Sequence, residues 1–108
     1  MNQEKRKQLH EILDLVLDIN EFEERQKINT GDKPTAFMSF EGHTCCLRVD
    51  VYKEGWQSFG NQQGLERYKK YLAEGTYALD DSLECIIASL DDIKRRQRQR
   101  EFKQCAGM

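Results

Sequence analysis

The chain has little proline, histidine or tryptophan: one, two and one in 108 residues, with no Cys-x-x-Cys pair. It has no uncharged apolar run approaching the roughly 18 residues of a membrane-spanning helix, so no transmembrane segment is expected. The start, Met1-Asn2-Gln3-Glu4-Lys5, leads into no apolar segment with a small-residue cleavage site, and no secretory signal is expected. A phosphate-binding glycine loop is also missing. Gly55, Gly60 and Gly64 are too widely spaced and precede no Lys-Ser/Thr pair at a helix start. A chain this short buries one modest core and has little material left for a deep substrate cavity.

Charge is plentiful. The 17 basic and 19 acidic residues leave a net charge of −2. Near-balance with clear apolar periodicity argues for one folded domain over residues 1–108 rather than global disorder. The four cysteines, Cys45, Cys46, Cys85 and Cys105, would need a secretory setting to be read as a disulfide framework. A zinc site would need His43, one of Cys45 or Cys46, and Cys85 or Cys105 to converge. Their spacing matches none of the usual patterns, so neither metal nor cofactor is expected, and the thiols read as reduced.

Residues 3–27 read as an amphipathic helix with the stripe Leu9, Ile12, Leu13, Val16, Ile19 and Phe22. Its other face is acidic, from Glu11 and Asp14 through Asp18 to Glu21, Glu23 and Glu24. Gly31 and Pro34 punctuate its end. Thr35–Phe40 is a strand, Glu41-Gly42-His43 a turn, and Thr44–Lys53 a second strand. Cys45, Leu47, Val49 and Val51 lie on one face of that strand; Cys46, Arg48, Asp50 and Tyr52 lie on the other. Residues 54–64 are a glycine-rich loop carrying Trp56 and Phe59. Residues 65–73 fit either a helix or a strand, with a lean to a strand because a two-stranded ribbon is marginal alone. Residues 80–104 form a second long helix, started by an Asp81/Glu84 capping box, with the stripe Leu79, Leu83, Ile86, Ile87, Leu90 and Ile93.

The charges are sorted along the two helices. The first runs from basic (Lys5–Lys7) to acidic; the second runs from acidic (Asp80, Asp81, Glu84) to basic. Lys94–Lys103 alone carries +5, which leaves −7 elsewhere. Parallel helices bring opposite signs together at both ends. Each surface pair contributes only a few tenths of a kcal/mol, but the pattern is consistent. Parallel first and last helices require an odd number of reversing elements between them, which supports a third element at 65–73. The expected fold is α+β: two long helices packed on one face of a small, two- to three-stranded antiparallel sheet, in the order α-β-β-β-α. A 24-residue helix spans roughly 36 Å and a seven-residue strand roughly 23 Å, so helix ends overhang the sheet. Such overhangs invite a second copy, and a homodimer is expected.

The functional reading is a non-enzymatic protein-interaction module. Trp56 and Phe59 in the loop, with Glu21 and Glu24 on the acidic face, are the candidate partner contacts. The alternative is nucleic-acid binding through Arg95, Arg96, Arg98 and Arg100. It is not favoured, because the chain is net acidic and the basic stretch also suits a helix C-terminus. His43 at a hairpin tip has no Ser, Cys or carboxylate constellation around it, so catalysis is not expected.

The stretch Pro34–Thr44, with Phe40-Glu41-Gly42-His43 at its tip, continues to Val49–Trp56, ending Tyr52-Lys53-Glu54-Gly55-Trp56. Over residues 9–93 the chain resembles small proteins carried by phages and prophages of Gram-positive bacteria, which have a helix, such a hairpin and a final helix. The resemblance implies an accessory role inside a bacterial cell, in the cytoplasm, with a host or phage protein as partner. The basic segment after Ile93 lies outside it.

Overall fold

The first helix ends seven residues earlier than the apolar periodicity predicts. In the computed structural model, which describes residues 3–58, 64–73 and 81–106 (side chains through Glu101), α1 covers Gln3–Asn20. Glu21 and Phe22 then take left-handed φ values of 55° and 56°, which no helix continues. Phe22 is therefore not part of the stripe; it is 84% exposed. The buried set is Ile12, Leu15, Val16 and Ile19, so Leu15 replaces the predicted Leu13. A one-turn helix α2 (Lys27–Thr30) follows.

Strands β1 (Thr35–Glu41), β2 (Cys46–Tyr52) and β3 (Leu65–Tyr71) form an antiparallel sheet in the order β1-β2-β3. The third element is a strand. Register pairs Ala36, Met38 and Phe40 with Val51, Val49 and Leu47, and pairs these with Glu66, Tyr68 and Lys70. Period-two alternation puts all nine on one face. Leu47, Val49 and Val51 are buried there, as the alternation requires.

The final helix, α3 (Leu83–Ala106), starts later than predicted, and its cap differs. The Ser82 hydroxyl accepts the Cys85 N–H at 3.0 Å. Asp81 turns to the sheet: its carboxylate accepts the Lys69 N–H at 3.0 Å, and its own N–H donates to the Lys69 carbonyl at 2.9 Å.

The helices run parallel. Gln8 donates to Glu84, Lys94 to Asp18 and Gln97 to Glu21, each pair 76 residues apart. One core cluster joins Ile12, Leu15, Val16 and Ile19 to Leu47, Val49 and Val51 and to Leu83, Ile86, Leu90 and Ile93. Each full burial of this kind contributes about 1.5–3 kcal/mol.

Tyr68 packs from β3 against the core cluster. Its hydroxyl donates to Glu66, and burial together with that carboxylate pushes the phenol up to about 12 from the ordinary 10.0. A raised folded value means the neutral phenol stabilises the fold fully below pH 10, and this contribution is lost as pH rises toward 12. In an absorbance titration at 295 nm, Tyr68 is expected to ionise late, and its late step should disappear in Tyr68→Phe. A titration in which Tyr68→Phe removes an ordinary step near 10 would contradict this.

Candidate functional site

The site is built from the chain that leaves α1. Arg25 is buried, at 5% exposure. Its guanidinium donates to the Ile19 carbonyl at 2.7 Å and to Glu23 at 2.6 Å, and lies 3.3 Å from Glu21. It thus satisfies one of the carbonyls that every helix C-terminus leaves open. The Arg25 carbonyl accepts the Thr35 hydroxyl at 2.9 Å, and that hydroxyl accepts the Trp56 N–H at 3.2 Å. The Trp56 carbonyl accepts the Lys27 N–H at 2.7 Å, and Gln26 bridges Trp56. Trp56 is fixed at its backbone from both sides.

Its ring lies on the sheet face opposite the core. Phe37 meets Tyr52 edge-on with centroids 5.6 Å apart, and meets Trp56 at 6.4 Å. Leu65 is the register partner of Tyr52. Beside Trp56, a groove is lined by Gln26, Lys27, Ile28, Gln57 and Ser58. Ile28 is 88% exposed, Phe37 44% and Leu65 37%. Ile28, Trp56, Phe37, Tyr52 and Leu65 make an apolar band at one end of that face. The middle of the face is polar, with ion pairs Arg48–Glu41 (3.6 Å) and Arg67–Asp50 (3.1 Å), and buried Cys46 lies at its far end opposite Tyr71.

Of the predicted contacts, Trp56 belongs to this band. Phe59 lies outside the described residues. Glu21 is engaged inside the protein by Arg25 and Gln97, and Glu24 is exposed in the loop after α1. Phe37 and Tyr52 were missed as site residues. The signal for Tyr52 was its place opposite Leu47, Val49 and Val51; Phe37 needed the β1–β2 register.

The arginines of α3 are placed as follows. Arg95 pairs with Asp91 at 3.3 Å and Asp92 at 3.8 Å, Arg96 with Asp92 at 3.0 Å, and Arg100 with Asp32 at 2.8 Å. Hydrogen bonding and charge from Arg100 hold the Asp32 carboxyl below its usual value. Arg98 is exposed beside Phe22 and Glu101. Cys45 is half-buried, Cys46 buried and Cys85 exposed, all as free thiols. Among the described residues no group of three metal-ligating side chains converges, and no helix is long and apolar enough to cross a membrane.

No protein-family profile, curated protein or solved structure matches the chain.

Proposed function

We propose that the protein is a non-enzymatic interaction module acting inside a bacterial cell as a phage or prophage accessory protein. Its docking surface is the apolar band around Trp56, and its partner is a protein presenting aliphatic or aromatic side chains to that band. Both long helices cover the core face of the sheet, which leaves the other face for the partner. The shared core of Leu47, Val49 and Val51 with residues of α1 and α3 supports this arrangement. The observation that carries the docking reading is Ile28, 88% exposed beside a tryptophan whose backbone is held at both ends. Rigid aromatic anchors with exposed aliphatic neighbours are what interface hot spots are made of.

The experiment is affinity capture with wild type, Ile28→Asp and Trp56→Ala. A hot-spot loss of about 2 kcal/mol weakens binding about 30-fold, so both variants should fail to retain the partner protein. Ile28→Asp is exposed enough to leave folding intact. Retention of the same partner by both variants would overturn the reading.

The nucleic-acid alternative predicts a salt-sensitive shift of a labelled duplex that collapses when Arg95, Arg96, Arg98 and Arg100 become alanine. Three of these four already face carboxylates within 3.8 Å, which supports the protein-docking reading instead. No such shift is expected.

A further inference from the structure

The two outer edges of the sheet are finished differently. At β3 the edge is charged, with Arg67 and Lys69, and Asp81 occupies both backbone groups of Lys69. At β1 the Asn20 side chain does the same for one residue. Its amide donates to the Ala36 carbonyl at 2.9 Å and its oxygen accepts the Ala36 N–H at 2.9 Å. Backbone groups in a strand alternate sides, so the N–H and C=O of Met38 and Phe40 also point outward. Among the described residues nothing pairs with them. The next outward position, Gly42, lies in the turn.

The open edge is therefore Met38-Ser39-Phe40, uncharged and two free residues long. It is also apolar. Phe40 is 57% exposed and Met38 half-buried, on the same face. Leu13 is 41% exposed and lies seven residues before Asn20 on the same side of α1. Seven helical residues rise roughly 10 Å, about three strand residues, which brings Leu13 level with Ser39 and Phe40. Long apolar edges are usually blunted by charge or proline. This one is blunted at β3 and left open at β1.

We propose that the β1 edge is completed by a second copy of this chain, related by a two-fold axis at Ser39. Exposed Phe40 and Leu13, with half-buried Met38, suit a copy of themselves, and for that occupant the free groups select one register. Placing Ser39 opposite Ser39 of the other copy pairs each Met38 with the other Phe40 and satisfies all four donors and all four acceptors. Shifting the register by two residues either way leaves one pair and meets the Asn20 cap or the turn. The symmetric register is closed and self-complementary. It joins two sheets into one of six strands and buries Met38, Phe40 and Leu13 against their counterparts. This interface adjoins the band around Trp56, because Phe37 lies opposite Glu41 of the other copy, but it rests on the outward backbone groups of Met38 and Phe40, which the band does not use, so either proposal stands without the other.

Analytical ultracentrifugation is the first test. Wild type is expected to sediment at twice its 12.7 kDa chain mass at micromolar concentration. Met38→Pro removes an outward donor without touching the β1–β2 ladder, and is expected to raise the dissociation constant roughly tenfold or more. Ser39→Cys then fixes the register, in a background with Cys85→Ser and Cys105→Ser. Directly opposed residues of this kind have Cα atoms about 4.5 Å apart, within disulfide range. Mild oxidation is expected to cross-link Ser39→Cys with itself, and Phe37→Cys only when mixed with Glu41→Cys. A monomer at all concentrations, or a dimer unaffected by Met38→Pro and not cross-linked through Ser39→Cys, would overturn the proposal.

Discussion

Gly55→Ala is expected to lower the melting temperature by more than about 10 °C. Gly55 is buried with φ +92°, and an added Cβ would sit 2.6 Å from the Gly31 carbonyl oxygen and 3.3 Å from that of Lys33. Both contacts are backbone, so no side chain can swing away. The backbone conformation costs about 1–3 kcal/mol for a residue with a Cβ, and overpacking a filled site costs about 1–3 kcal/mol more. A total of about 3 kcal/mol corresponds to a shift of this size in a domain of about 100 residues. Gly31→Ala is the control. It has a similar φ of +67° but nothing within 4 Å, so only the conformational cost of about 1–3 kcal/mol applies, without the overpacking cost, and its loss should be the smaller of the two. Equal losses at the two positions would show that the close approach at Gly55 is not what the glycine serves. Because Gly55 precedes Trp56, the same variant should also weaken partner capture.

Arg25→Met is expected to cost about 3 kcal/mol, read by urea unfolding. Methionine keeps much of the buried stem but makes none of the hydrogen bonds to Ile19 and Glu23. A hydrogen bond from a charged group is worth about 1.5–3 kcal/mol. The carboxylates of Glu21 and Glu23 are 35% and 43% exposed, so they rehydrate and their share is discounted. Arg25→Lys should recover little, because one ammonium does not reproduce a planar fork that reaches a carbonyl and two carboxylates. Full recovery by lysine would mean that charge alone, and not the helix-end cap, holds this loop.

Much of the architecture was legible because it rests on periodicity and charge. The alternation of Leu47, Val49 and Val51 placed β2, and the charge sorting correctly implied parallel helices; Lys94–Asp18 at 2.7 Å is its realised pair, whereas Arg100 reaches past α1 to Asp32 in the loop before β1. The end of α1 was not legible. Phe22 continues the apolar spacing, and only the buried Arg25, together with Asn20 pinned to Ala36, reveals why the helix stops at Asn20. These are contacts across 6 and 16 residues to backbone atoms, which no local pattern encodes. The same holds for Asp81, whose spacing to Glu84 resembles a cap but whose carboxylate is taken by the sheet edge. Trp56 stood out as the single tryptophan. Its companions Phe37 and Tyr52 became visible through strand register. Glu21 looked like a free acid on a solvent face, and is committed to Arg25.

The docking claim is tested most directly by site-specific photo-cross-linking in bacterial cells producing the protein. A photoreactive phenylalanine analogue would replace Ile28, Phe37 or Arg98 in turn. A covalent adduct to a protein other than a second copy of this chain is expected from positions 28 and 37, and none from position 98. Adducts to nucleic acid from position 98, with none to such a protein from 28 or 37, would contradict the account.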